Sequence, residues 1–238
     1  MGWARKGVLL ASNAKLASVT GGGERNYAGT SAAARVEKRR ASLLDAALTE
    51  MAEGRWRSVT VASVCTDARL NKRYFYESFD DLDQLADAVI DMVAGEVGVA
   101  AIGGFIKTAE SALHDQASSV VAAVVDVLGE DRRKALVLLG GVSTATSQDD
   151  KRRAAISGLT TVLVDHARKI HDVALERDSL AATGPAFVIG GTAQTILSWV
   201  NGDLPVSRDQ LIGDITALWL ALGESASGIA RSRIEPEA

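Results

Sequence analysis

Apolar residues fall into helical spacing from Leu43 onward. Leu43, Leu44, Ala47, Leu48 and Met51 recur three or four positions apart, which predicts an amphipathic helix from about Arg35 that Gly54 stops. Thr60 is placed to cap a second helix, VASVCTDA, with Val61 and Val64 on one side. After a short break at Arg69–Leu70, Asn71 caps a third segment, NKRYFYESF over 71–79. Asp81, with Gln84 three positions on, resembles a capping box and opens a longer helix striped by Leu82, Leu85, Val89, Val93 and Val97. Apolar helical runs follow at 109–128 and 130–146, then charged flanks around ISGLTTVLV within 149–177. Residues 185–200 begin with Pro185, a residue suited to a first turn. NGDLP breaks the chain again, and Ser207 caps RDQLIGDITALWLAL. With no repeat and no strand pattern, the expectation is an all-α protein of about nine helices.

Composition changes this picture little. Three prolines in 238 residues favour helices over a turn-rich β architecture, and no uninterrupted apolar run reaches the roughly 20 residues that cross a bilayer. GVLLA after Arg5 and Lys6 faintly resembles a signal peptide, but Asn13 and Lys15 interrupt it. The single Cys65 rules out an intrachain disulfide and suits a reducing compartment, so the expected location is the cytoplasm. Residues 1–34, rich in Gly, Ser, Ala, Asn and Thr, read as a disordered arm, or as sequence ahead of a later start site. Charge is uneven: residues 1–80 carry 13 Lys/Arg against 8 Asp/Glu, and residues 81–238 carry 13 against 22. A basic front and an acidic back fit a polyanionic partner for the front.

The segment at 71–79 holds four of the chain's few aromatics beside Lys72, Arg73 and Glu77. At about 100° per residue, Phe79 lies about 40° from Phe75, and Arg73 and Glu77 lie about 160° away on the opposite face. Phe75 and Phe79 are therefore expected in the core, with Lys72 and Ser78 nearer the inward side. Tyr74 and Tyr76 sit on the shoulders, where a hydroxyl can reach a phosphate oxygen. Three short helices with a tight turn between the last two describe a helix-turn-helix.

RRASLLDAALTEMAEGRWRSVTVASVCTDARLNKRYFYESFDDLDQL resembles the DNA-binding module of the TetR family of transcriptional regulators over about 50 residues. The likeness is carried by the basic lead-in, LLDAAL, Trp56 after Gly54, the Thr60–Val61 pair, and Tyr76 with Phe79. It implies a helix-turn-helix domain at 35–81 and a helical effector-binding and dimerisation domain at 82–230. It implies a third helix in the major groove, with Lys72 and Tyr76 on phosphates. The DNA-binding set read here is Lys38, Arg39, Arg40, Thr60, Asn71, Lys72, Arg73, Tyr74, Tyr76, Glu77 and Ser78. Arg73 and Glu77 have an alternative as an i,i+4 ion pair, worth roughly a few tenths of a kcal/mol. Lys38, Arg39 and Arg40 have one as a solvated face, and Tyr74 is divided between base contact and packing. Cys65 reads as packing rather than as a redox sensor.

Four positions depart from the family pattern. Arg69 stands where Gly is usual, which calls for a positive φ on a non-Gly residue. Leu82 replaces a common lysine beside Asp80 and Asp81, and Ser78 stands where a larger residue is frequent. Glu77 repels phosphates but can accept from a cytosine amino group. Modest affinity with pronounced salt dependence is the expectation.

The likeness returns over 186–222, implying a homodimer through the helices at 185–200 and 208–222, which reads an inverted repeat. Gly190 and Gly191 inside a helix cost about 1 kcal/mol each relative to Ala, which close approach of another helix would offset. Trp199 and Trp219 are candidates for that interface or for the intrachain core. The function read from this is a ligand-responsive repressor. The alternative is a regulator without a small-molecule effector, acting as an activator or through a protein partner. Phosphate-binding Gly loops, G-x-S-x-G, H-E-x-x-H and Cys/His metal spacings are absent from the sequence, so an enzyme is not expected, nor a metal or cofactor. His114, His166 and His171 are scattered. Polar residues within 143–148 and Thr192, Gln194 and Thr195 either line a pocket or face solvent, and the scarcity of aromatics and basic clusters leans towards an apolar or neutral effector.

Overall fold

The computed structural model describes residues 31–140, 149–158 and 178–234. Among them are nine helical segments, a 3-10 turn and no strand. Helix α1 spans Ala32–Ala52, a 3-10 turn spans Trp56–Ser58, and α2 spans Val61–Asp67. Then come α3 (Lys72–Tyr76), α4 (Leu82–Lys107), α5 (Leu113–Glu130) and α6 (Arg132–Leu139). Residues 149–158 form α7, and α8 (Leu180–Asn201) and α9 (Arg208–Ile234) complete the body. The stretch expected as an arm lies outside the described residues up to position 30. Ser31 accepts a hydrogen bond from the Ala34 N–H at 3.1 Å and opens α1 three residues ahead of Arg35. The expected continuation through 159–177, the polar stretch at 143–148, and His166 and His171 also lie outside the described residues.

The core runs through the molecule from the front module to the body. Leu43, Ala47 and Met51 of α1 meet Val64, Phe75 and Phe79, and the stripe Leu85, Val89, Val93 and Val97 of α4 continues it. On the body side Val121, Val125 and Leu128 of α5, Val137 and Leu138 of α6 and Ile196 of α8 close over that stripe. A fully buried Leu, Val or Phe contributes roughly 1.5–3 kcal/mol, so α4, with a buried stripe from Leu85 to Val97, is what joins module to body. Gly104 lets α5 approach α4 closely: a Cβ there would stand 2.7 Å from the Ser119 carbonyl oxygen.

Two details differ from the sequence expectation. Pro185 lies inside α8 rather than in its first turn, because the helix starts at Leu180, whose N–H donates to Asp178 Oδ1 at 2.8 Å. The lost Pro185 N–H therefore falls on an interior position. By length and mean hydropathy α4 and α8 are each apolar enough to cross a bilayer, although no uninterrupted apolar run is. In α4 the N-terminal part of that hydropathy goes into the core stripe up to Val97, while Val99, Ile102 and Ile106 are exposed; α8 buries only Ile196 fully.

Candidate nucleic-acid interface

Local chemistry fixes the geometry of the front module. Thr60 and Ser63 form a reciprocal capping box: the Ser63 N–H donates to Thr60 Oγ1 at 3.1 Å, and the Thr60 N–H to Ser63 Oγ at 3.0 Å. Chain reversal follows at Arg69, which has φ 55°, with the Leu70 N–H donating to the Cys65 carbonyl at 2.8 Å. Asn71 then caps α3, accepting from the Tyr74 N–H at 3.2 Å. The side-chain oxygens of Thr60 and Asn71 thus hold helix ends, while both residues remain exposed. The Gln84 N–H donates to Asp81 Oδ1 at 2.7 Å as expected, but the return bond from Gln84 Oε1 takes the Asp80 N–H rather than that of the cap.

The wheel argument holds for the aromatics. Phe75 is fully buried and Phe79 is 3 % exposed, with ring centroids 6.0 Å apart. Tyr76 crosses the Phe75 ring edge-on and is 59 % exposed. Regular helix ends at Tyr76, but the Glu77 N–H still donates to the Arg73 carbonyl at 3.0 Å, so Glu77 stays on the outward face. Lys72, Arg73, Tyr76 and Glu77 are exposed, and Ser78 is half-buried; Lys72 is less inward than the wheel placed it.

The cations of α1 divide. Lys38 is exposed, whereas Arg39 lies with its guanidinium 4.3 Å from the Tyr74 ring centroid and 3.6 Å from a Glu77 oxygen. Arg40 lies over Phe79 at 5.0 Å. Arg73 Nε donates to Glu77 Oε1 at 3.0 Å. The structure therefore gathers Arg39, Arg73, Tyr74 and Glu77 into one cluster and sets Arg40 behind it. Tyr74 packs under Arg39 and is half-buried. Cys65 is buried in the hinge of this module; burial pushes its thiol pKa up, with the Lys72 charge opposing, so the thiol stays protonated and packs.

Behind the module, sequence reasoning missed Arg133. It donates to Thr49 Oγ1 at 2.7 Å and pairs with Asp45 at 3.0 Å, both on α1, and with Asp131 at 2.7 Å. Asp131 also caps α6 through the Arg133 N–H at 3.0 Å. The hydrogen bonds from Arg133 hold the Asp131 carboxyl below the usual aspartate range against the opposing effect of burial. Lys134 to Glu96 at 2.6 Å and Lys151 to Asp91 at 2.9 Å add further links onto α4. Asp45, Asp91, Glu96, Asp131, Arg133 and Lys134 line a cleft of about 620 Å³ between α1, α4 and the start of α6. Only the adjacent Asp131 signals any of this locally.

In the body, the Trp199 indole donates to the Val206 carbonyl at 3.0 Å and Trp219 to Thr192 at 2.8 Å, so both join elements of their own chain. Thr195 returns to the Gly191 carbonyl and Gln194 to Ser198, both bonds local to α8.

No family model matches the chain, and no curated protein matches it. Solved structures do. A TetR-family transcriptional regulator from Streptomyces coelicolor is similar at 16 % identity and a TM-score of 0.62, over 85 % of this chain and 90 % of that one. FadR from Bacillus subtilis, a transcriptional regulator solved in complex with stearoyl-CoA, is similar at 16 % identity and 0.61, over 76 % and 97 %. AibR, solved with isovaleryl coenzyme A and operator DNA, is similar at 12 % identity and 0.58, over 76 % and 97 %. With its helix-turn-helix held on a long α4 and a helical body behind, this chain has the fold of the TetR family of transcriptional regulators.

Proposed function

We propose that this protein is a sequence-specific DNA-binding repressor that acts in the cytoplasm as a homodimer on an inverted repeat and is released by a small-molecule effector. The observation that carries this reading is α3: Phe75 and Phe79 anchor it while Lys72, Arg73, Tyr76 and Glu77 project from the far side. Lys38, Lys72 and Tyr76 are assigned to the phosphate backbone, with Thr60, Asn71 and Ser78 at its edge through their exposed or half-exposed polar groups. Arg73 and Glu77 are assigned to base edges, with Arg39, Arg40 and Tyr74 behind them. Homodimerisation through α8 and α9 doubles these contacts across a two-fold axis. The unpartnered apolar face of those helices supports it: Phe187 is 71 % exposed and Leu218 60 %.

Release follows from linkage. An effector that favours a body conformation with wrongly spaced reading helices weakens DNA binding by the same factor as DNA weakens its own binding. Arg133, reaching from α6 to α1, is a physical route for that coupling. FadR with stearoyl-CoA and AibR with isovaleryl coenzyme A make acyl coenzyme A thioesters the first compounds to titrate. The direct test is fluorescence anisotropy on the DNA upstream of the protein's own gene, in a salt series. Expected are saturable binding that weakens steeply with salt and, in a nuclease footprint of the same DNA, two-fold symmetric protection. Binding equal to that of a scrambled duplex refutes sequence-specific recognition, and an effector that binds without moving DNA affinity refutes the release mechanism.

A further inference from the structure

We propose that Glu77 is a specificity residue that withholds Arg39 and Arg73 from DNA unless the base it faces offers an amino hydrogen to its carboxylate. This rests on the DNA-binding reading and deepens it. The two carboxylate oxygens are used separately: Oε1 accepts from Arg73 Nε at 3.0 Å, and Oε2 faces Arg39 Nη2 at 3.6 Å. Arg39 comes from a different helix and is located by the Tyr74 ring beneath it at 4.3 Å. The arrangement is thus a clamp between α1 and the end of α3, not only a neighbouring pair on one helix. The side chains of Arg39 and Glu77 are 23 % and 38 % exposed, so solvent screens this contact less than it screens a fully exposed surface bridge.

A duplex approaching this surface brings phosphates that compete for both arginines and repel the carboxylate. Releasing the arginines strands Glu77 among acceptors. Guanine presents O6 and N7 and thymine O4, all acceptors, whereas cytosine N4 and adenine N6 carry amino hydrogens that Glu77 can take. Only an amino-bearing base opposite Glu77 frees the arginines without leaving an unpaired carboxylate. Specificity then arises from rejection of the wrong sequence as much as from attraction to the right one.

The test compares native protein, Glu77→Gln and, as a control of equal charge change, Asp80→Asn. Anisotropy on a random-sequence duplex over a salt series is combined with selection from a library of randomised duplexes. Glu77→Gln is expected to bind the random duplex at least about fivefold more tightly, with a log–log salt slope steeper by about one per freed phosphate contact. Asp80→Asn is expected to change affinity by less than about twofold, in keeping with the weakness of a single screened surface charge. Selection with native protein should fix cytosine or adenine at one position in each half-site, and Glu77→Gln, whose amide donates as well as accepts, should admit guanine or thymine there. Unchanged random-duplex affinity in Glu77→Gln, an equal gain in Asp80→Asn, or an unaltered selected position each overturns the inference while leaving DNA binding intact. No salt-dependent duplex binding by the native protein would overturn the DNA-binding reading and this inference together. Circular dichroism melts guard against unfolding, and Glu77→Ser carries the same expectation if the Gln variant is unstable.

Discussion

Arg69 holds a conformation that its side chain disfavours. At φ 55° an L residue brings Cβ against its own backbone at a cost of roughly 1–2 kcal/mol, and only Gly avoids this. The turn nonetheless forms, because the Leu70 N–H to Cys65 carbonyl bond and the Asn71 cap of α3 both depend on it. Arg69→Gly should therefore stabilise the fold by about 0.5 kcal/mol, after subtracting the extra unfolded-chain entropy that Gly brings. Urea denaturation at neutral pH measures it, and a destabilised variant would show that the Arg69 side chain contributes more than its backbone costs. This strain was expected from the family resemblance, which puts Gly at that turn, whereas Phe75 and Phe79 were legible from helical spacing alone. The Arg39–Glu77 contact was not: it joins residues 38 positions apart, and no periodicity within α1 or α3 reports which side chains of one will meet the other.

Between elements, Arg133 ties the body to α1 of the module, and Gly104 sets how closely α4 and α5 pack. Arg133→Met keeps most of the packing of the side chain but removes its bonds to Asp45, Thr49 and Asp131. With the Arg133 side chain 36 % exposed and its ion pairs so partly screened by solvent, the expected loss is on the order of 1 kcal/mol at pH 7. The sign of its pH dependence follows from Asp131, whose pKa is depressed in the folded state. That contribution is present above the unfolded aspartate value of about 3.9 and is lost as pH falls through the lower folded value. Thermal unfolding should separate native protein from Arg133→Met at pH 7, and the gap should narrow at about pH 3; a constant gap would mean that the carboxylate bonds contribute nothing. Gly104→Ala tests the second contact. Its Cβ would press on the backbone of Ser119, which cannot swing aside, so a loss of about 1–3 kcal/mol is expected in denaturant titration. The stripe on α4 was readable from a 3.6-residue period, whereas the partner of Arg133 lies 88 positions away, and the early start of α8 depends on Asp178, outside the pattern that began at Pro185.

At the scale of the whole molecule, α8 and α9 carry exposed apolar residues, among them Phe187, Leu218, Leu222 and Ile229. Leu218, Leu222 and Ile229 are spaced four and then seven residues apart and share one face of α9, at 60 %, 37 % and 44 % exposure. Among the described residues nothing beyond their own helix lies within 4 Å of where a Cβ would stand on Gly190 or Gly191 of α8. The indoles of Trp199 and Trp219 meanwhile bond to Val206 and Thr192 of their own chain, which leaves the aliphatic stripe and Phe187 to carry association in the proposed dimer. Leu218→Asp separates the two levels of structure cleanly. Because Leu218 is already exposed in the single chain, the substitution should change helicity little and cost the isolated fold no more than about 0.5 kcal/mol. In the proposed dimer it buries a carboxylate in an apolar contact, and the dimer dissociation constant should rise at least about a hundredfold, equivalent to roughly 3 kcal/mol. Sedimentation velocity at micromolar concentration reads the mass, and anisotropy compares a full inverted repeat with a single half-site. The variant should sediment as a monomer with native helicity and bind both duplexes equally weakly; a variant that remains dimeric would place the subunit contact elsewhere than on this face of α9.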